Sequence, residues 1–280
     1  MARVSFLAEP SACEYLPDQT WQLRYDVHER LTPAEYADRL RRGWRRFGAV
    51  MFRPECPACR QCQSLRVPVD AFRPSRSQAR AWKANQRDAA LAIGPPTASD
   101  AHRSLYDKFH RHQSREKGWS TPEPDGADAF LGNPFATEEW RYTIAGRLVG
   151  VGYVDRLPQA LSAIYFYHDP DERSRSLGTY NVLSIIERAR TVGVPYVYLG
   201  YYVEGCRSLA YKATFRPNEV LGPDGSWIRF RDVSVNVHAR RLAISGSSQP
   251  LEDSRGAHAA PDAHRHQPIA DLSTPHLVDD

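Results

Sequence analysis

No stretch of the 280-residue chain reaches the ~18 consecutive apolar residues that a membrane-crossing helix requires, which excludes an integral helical membrane protein. Its first residues, MARVSFLAEPSACEY, are interrupted by Glu9 and Pro10 before they can form the ~7–15-residue apolar core of a secretory signal, so the cytoplasm is the expected location. Cysteine is scarce and odd in number, five residues in all, which argues against a disulfide framework in such a chain. A P-loop, a dinucleotide fingerprint and a Gly-x-Ser-x-Gly elbow are all missing. His102, His110 and His112 fall on one predicted helix at spacings that do not make a His-x3-His zinc pair. There is no internal repeat.

What is present suits a globular α/β (α+β) protein. Hydrophobic residues make up 41% and charged residues 25%, and six Trp, fourteen Tyr and ten Phe can fill a core without help from metal or disulfides. The net charge of +4 conceals an asymmetry: residues 241–280 carry three Arg against six acidic residues, which leaves residues 1–240 at +7. A basic body fits a polyanion such as nucleic acid, although ordinary solubilising charge would look the same. Length and composition predict an N-terminal Cys-containing domain over residues 1–98, a second domain over 99–244 and a disordered tail over 245–280.

Local signals place the elements. Thr32-Pro33-Ala34-Glu35 is a capping box opening a helix that stops at Gly43, Ser75 caps a second helix, and Ser99 starts a long one to Lys117 before Gly118. Residues 47–53 and 65–69 read as strands, the second an edge or bulged strand because of Pro68. Three strands over 140–168, a helix from about 177, a strand at 194–199, a short helix around 206–213 and a hairpin at 219–230 complete the pattern.

Four regions could carry chemistry. Cys56, Cys59 and Cys62, joined by the distant Cys13, would supply four thiolates for zinc or an iron–sulfur cluster; redox-sensitive thiols and plain buried cysteines are the alternatives. Arg173, Arg175, Ser176, Gly178 and Thr179 sit where a strand and polar loop lead into a helix, and a helix N-terminus flanked by Arg suits a phosphate. Strand, Arg-containing loop, helix and strand in this order is the arrangement of the acyl-CoA loop in GNAT acyltransferases. Tyr202, Tyr211 and Lys212 would line the cleft that such a fold opens, where they could orient an amine or stabilise an oxyanion. Arg41, Arg42, Arg45, Arg46, Arg76 and Arg80 lie among aromatics in two basic stretches, where they would meet phosphates or an acidic group, or simply face solvent.

Taken in order, Cys13-Glu-Tyr-Leu-Pro17, Gly43-x-Arg45-Arg46-x-Gly48, Arg53-Pro54-x-Cys56-x-x-Cys59-x-x-Cys62, Arg66-Val-Pro-Val69, Ser75-Arg-Ser-Gln78-x-Arg80, Ser176-Leu-Gly-Thr-Tyr180, Leu199-Gly-Tyr-Tyr202 and Tyr211-Lys-x-x-Phe215-x-Pro217 resemble the aminoacyl-tRNA–protein transferases. That family comprises arginyl-tRNA–protein transferases and bacterial aspartate/glutamate leucyltransferases, and the wording is closer to the bacterial branch. One departure is Ser208-Leu209, where the family often has Lys-Met. The resemblance implies a GNAT-like C-terminal fold. It also implies transfer of Leu, or else Arg, from charged tRNA to proteins beginning with Asp or Glu, which marks them for degradation. No cofactor is expected for the transfer itself. A CoA-dependent N-acyltransferase and a non-catalytic, metal-dependent RNA-binding module are the rival expectations.

Overall fold

The structure is a computed structural model describing residues 3–28, 30–119, 126–131 and 133–230. The tail expected over 245–280, and the last residues of the domain expected to end at 244, lie outside the described residues.

The chain begins with strands β1 (Arg3–Leu7), β2 (Ser11–Ala12), β3 (Thr20–Trp21) and β4 (Leu23–His28). Helix α1 (Pro33–Arg41) follows its capping box, in which Thr32 accepts from the Glu35 amide and Glu35 from the Thr32 amide, and strands β5 (Arg45–Phe47) and β6 (Val50–Pro54) come next. Strand β7 (Gln63–Pro68) leads to helix α2 (Arg76–Asn85), capped by Ser75 and Gln78 in the same way, then to β8 (Ala89–Gly94) and α3 (Asp100–Lys117). Gly118 ends α3 in the left-handed region that glycine adopts without strain, at φ 69°. The antiparallel meander β9 (Thr137–Ile144), β10 (Arg147–Leu157) and β11 (Ala160–His168) passes through a 3-10 turn, Pro170–Arg175, into α4 (Leu177–Thr191). Strand β12 (Tyr196–Tyr202), the short helix α5 (Arg207–Ala210), a 3-10 turn Tyr211–Thr214 and the hairpin of β13 (Glu219–Leu221) and β14 (Trp227–Arg229) complete the described chain.

Among the described residues, β1-β4-β6-β5 form a small sheet, and a large mixed sheet runs in the order β14-β13-β7-β12-β11-β10-β9-β8. The expected α+β class and the strand–helix–strand unit at 161–202 are present. The boundary expected at residue 98 falls between β8 and α3, yet β7 and β8 on its N-terminal side both belong to the large sheet. Pro68 does not put β7 at an edge: β7 lies between β13 and β12. Its proline is tolerated because it is the last residue of the strand, beyond the point where β13 pairs with Leu65 and Arg66.

Both faces of the large sheet are covered. Leu177, Tyr180, Val182, Leu183, Ile185 and Ile186 of α4 pack on one face, with α2 alongside through Trp82 against Tyr180. On the other face α3 packs Leu105, Tyr106 and Phe109 on Val151, Tyr153 and Tyr167. Tyr36 and Leu40 of α1 pack with Leu157, Ala160 and Tyr198, and Tyr201 packs with Leu23, Tyr25 and Phe52 of the small sheet. The small sheet is thereby brought over the middle of the large one.

Candidate active site

Parallel strands β11 and β12 are in register only over Ala160–Ser162 and Tyr196–Tyr198. Past that point they separate, and β12 carries a register irregularity between Tyr198 and Gly200 against β7. Backbone groups that would have closed the parallel pairing become available in the gap, and side chains take them up. The small sheet supplies one: Arg45 on its edge strand β5 donates through Nη2 to Ser162 Oγ at 3.3 Å and to the Ala163 carbonyl at 3.1 Å. The turn after α5 supplies the other, Lys212, whose Nζ donates to the Tyr201 carbonyl at 2.9 Å.

Gly200 lies between the two cations. Its φ of +87° is left-handed, and a Cβ added there would sit 3.2 Å from Lys212 Nζ and 3.7 Å from Arg45 Nη2. Glycine is therefore needed both for the backbone conformation and for the close approach. Burial, and next the Arg45 guanidinium, push the Lys212 ammonium down to about 7. Burial likewise holds the Arg45 pKa below its usual value. Arg45 Nη1 is buried with no hydrogen-bond partner. An amine that is partly neutral at pH 7 beside a buried cation can accept a proton and attract an anion in the same small space.

The other expected site residues fall into distinct groups. Tyr202 is half-buried at the end of β12, edge-on to Phe230 at 4.8 Å, and Tyr211 is 45% exposed beside Lys212. Arg173 and Ser176 are exposed; Gly178 and Thr179 are half-buried in the first turn of α4. Ser176 makes no side-chain cap, and a Cβ on Gly178 would meet nothing within 4 Å, so the start of α4 is open. Arg175 is half-buried and held by carboxylates: Nη1 and Nη2 each donate to Asp88 at 2.8 Å and Nε to Glu172 at 2.9 Å. Arg76 and Arg80 are exposed on α2. That helix reaches from the Thr214 carbonyl, bonded by Gln78, to the Arg175 carbonyl, bonded by Asn85. It thus connects the Lys212 turn with the entrance of α4.

Arg41 and Arg42 are exposed and pair with Asp38 on their own helix at 2.7 and 2.9 Å. Arg46, next to Arg45, has a different environment: it donates through Nε and Nη2 to Asp155, which also accepts from Tyr36 at 2.6 Å and Thr137 at 2.8 Å. Burial works against its charge, but Asp155 outweighs that and its pKa is raised. Gly200, Ser162 and Tyr201 were not singled out as site residues from sequence. Gly200 and Tyr201 both lie in the Leu199-Gly-Tyr-Tyr202 motif, and Gly200 carried a further signal, a glycine inside an apolar strand pattern that marks close backbone approach.

The Cys62 thiol is pushed up to about 12 by burial and by Cys56, Cys13, Cys59 and Cys206, so the cysteines are gathered in one region. Among the described residues, however, no three His, Cys, Asp or Glu side chains are arranged to hold a metal ion. No helix among them is long and apolar enough to cross a membrane.

Residues 11–80 match the family model described as "Arginine-tRNA-protein transferase, N terminus", and residues 101–222 match "Arginine-tRNA-protein transferase, C terminus". The aspartate/glutamate leucyltransferase of Halorhodospira halophila is 36% identical over 217 residues, 76% of this chain and 92% of that protein. Its counterpart from Nitrosococcus oceani is 38% identical over 232 residues, 79% of this chain and 94% of that protein. Among solved structures, L-PGS from Bacillus licheniformis is similar at a TM-score of 0.45 with 13% identity, covering 75% of this chain and 69% of that one. FemX is similar at 0.43 with 9% identity, covering 76% and 85%. With both terminal models matched in order and relatives of this identity covered almost end to end, the chain belongs to the arginine-tRNA-protein transferase family.

Proposed function

We propose that this chain transfers leucine from leucyl-tRNA to the α-amine of proteins that begin with Asp or Glu. The observation that carries the chemistry is Lys212, an amine near half-protonation at neutral pH in the gap between β11 and β12. An aminoacyl ester on the terminal ribose is already activated, so no nucleophilic side chain is required. The acceptor α-amine, with a pKa of ~7.7–8, attacks in its neutral form, a useful fraction of which is present at pH 7. As the new C–N bond forms, Lys212 takes the proton that the nitrogen sheds, and as the ester C–O bond breaks it passes that proton to the departing ribose oxygen. Alignment of amine and ester within the gap is worth up to ~7–11 kcal/mol.

In this reading the open N-terminus of α4, with Arg173, Ser176, Gly178 and Thr179, receives the tRNA acceptor end. Arg175 keeps that turn in place through Asp88 and Glu172. Tyr202 and Tyr211 flank the transfer point, and Arg76 and Arg80 on α2 meet the tRNA backbone between the two places. The reaction runs in the cytoplasm and marks its products for degradation. The gathered cysteines are the donor set for zinc or an iron–sulfur cluster if their loop rearranges; no step of the transfer passes through it.

The test is to incubate the full chain with Leu-tRNA, Arg-tRNA or acetyl-CoA and peptides beginning with Asp, Glu, Lys or Arg, followed by mass spectrometry. Leucyl product on the Asp and Glu peptides is expected. Product from acetyl-CoA alone, or tRNA binding without any covalent product, would overturn the proposal.

A further inference from the structure

Three arginines among the described residues are buried: Arg45, Arg46 and Arg66. Arg46 is paired with Asp155, and Arg66 with Glu219 at 2.7 Å. Arg45 has only a serine hydroxyl and a backbone carbonyl, both on Nη2, while Nη1 is buried and unbonded. Asp155 favours the Arg45 charge only from a distance and is itself bonded to Arg46, so Arg45 is a buried charge with no carboxylate of its own, which is costly and leaves it a ready partner for an anion from outside. The position agrees: the Nε–Nη2 edge of Arg45 faces Gly200, 3.9 and 3.7 Å from where a Cβ would stand, and both Gly200 and Ala163 keep part of their surface in contact with solvent.

We propose that Arg45 is the residue that selects acidic N-termini, its guanidinium receiving the side-chain carboxylate of an N-terminal Asp or Glu in the gap between β11 and β12. The inference rests on the leucyl-transfer reading and narrows six candidate arginines to one. Arg41 and Arg42 point their charge at Asp38 on an exposed helix, Arg46 is committed to Asp155, and Arg76 and Arg80 lie on the outer surface of α2. A carboxylate on a short methylene stem suits a gap this narrow, whereas a bulky phosphodiester suits the exposed arginines. With the carboxylate on Arg45, the α-amine, two carbons away in Asp and three in Glu, is directed to the Lys212 side of Gly200. Arg45 thereby fixes both which N-terminus enters and which way its amine faces.

The experiment compares the full chain with Arg45→Met on matched peptides beginning with Asp, Asn, Glu or Gln, with leucyl-tRNA as donor. The unaltered protein is expected to favour Asp over Asn by at least ~100-fold in kcat/KM. Arg45→Met is expected to reduce that preference to within about fivefold, by raising KM for Asp and Glu peptides well beyond whatever loss all four peptides share through the altered surroundings of Lys212. An equal loss on all four peptides with the preference intact would assign Arg45 to the reacting carbonyl and overturn the proposal. Two further measurements are independent of turnover. Asp-Ala-amide should raise the melting temperature of the unaltered protein where Asn-Ala-amide does not, and neither should do so for Arg45→Met. A crystal of the unaltered protein with Asp-Ala-amide should place the side-chain carboxylate on the Arg45 guanidinium; a carboxylate held elsewhere refutes the inference even if the variant fails to fold. Absence of leucyl product from the unaltered protein with every acceptor would remove the leucyl-transfer reading, while the binding and crystal measurements would still decide whether Arg45 takes an acidic side chain.

Discussion

Replacing Arg45 and Arg46 one at a time with Met should have very different effects on stability, although the residues are neighbours on one strand. Arg46→Met leaves the Asp155 carboxylate fully buried with only the Tyr36 and Thr137 hydroxyls as donors. Breaking one side of a buried ion pair costs ~3–5 kcal/mol. At ~2–4 °C per kcal/mol for a chain of this size, the melting temperature should fall by roughly 6–20 °C. Arg45→Met loses two hydrogen bonds from a charged donor, at 3.1 and 3.3 Å, together worth ~3–6 kcal/mol. It also removes a guanidinium that was desolvated without a carboxylate, a relief of several kcal/mol. The net change should therefore lie near zero, with the melting temperature no more than ~3 °C below that of the parent. Differential scanning calorimetry of both variants and the parent at one pH reads the difference directly. If Arg45→Met falls as far as Arg46→Met, Arg45 has a structural counter-charge and the reasoning behind its assignment fails.

Lys212→Met should lower transfer by ~10²–10⁴-fold. In the unaltered protein kcat/KM should rise with pH through about 7, where Lys212 becomes neutral, and through the acceptor amine at ~7.7–8. The log–log slope below pH 7 should drop from near two to near one in the variant, and an unchanged slope would exclude Lys212 as the base. His110, packed at a tilt against Tyr106 and bonded to Tyr165 at 2.7 Å, is pushed down to about 4 by burial. Between pH 6.5 and 4 the unfolded chain takes up a proton that the native ring refuses, so stability should fall by up to roughly 3 kcal/mol as pH drops through that window. His110→Phe should abolish that share of the loss in urea midpoints at pH 7 and 4.5, and a variant as acid-sensitive as the parent refutes the assignment. Arg173→Ala should weaken tRNA binding and reduce its log–log salt slope by about 0.7–0.9 without moving the melting temperature, because Arg173 is exposed. A slope equal to the parent's would remove Arg173 from the tRNA contact.

Much of the secondary structure was legible because its determinants are local. Thr32 with Glu35, Ser75 with Gln78 and Gly118 each act within a few residues, and α1, α2 and α3 begin and end within two residues of where those signals place them. The meander at 137–168 was legible from alternation and turn residues. β8 was not, since Ala89-Ala-Leu-Ala-Ile-Gly94 has few branched or aromatic residues and is a strand only because β9 pairs along it. The site divides in the same way. The motif order located the β11–α4–β12 unit, but nothing local separates Arg45 from Arg46. Asp155, which makes that distinction, is 109 residues from Arg46. Arg175 looked like a phosphate ligand because its partner Asp88 lies 87 residues away.

The place of β7 in the large sheet has a consequence for biosynthesis. Its two neighbours, β12 and β13, both follow it in the chain, the second ending at Leu221. At ~5–20 residues per second, about 150 further residues take roughly 8–30 s to emerge from the ribosome. Throughout that interval Leu65 and Val67, fully buried in the finished fold, are on a strand with both hydrogen-bonding edges unmatched. The N-terminal part can complete its own small sheet early, but the segment that joins it to the transferase centre must wait for the rest of the polypeptide. The nascent chain is for that time a client for any holdase that recognises an exposed apolar strand.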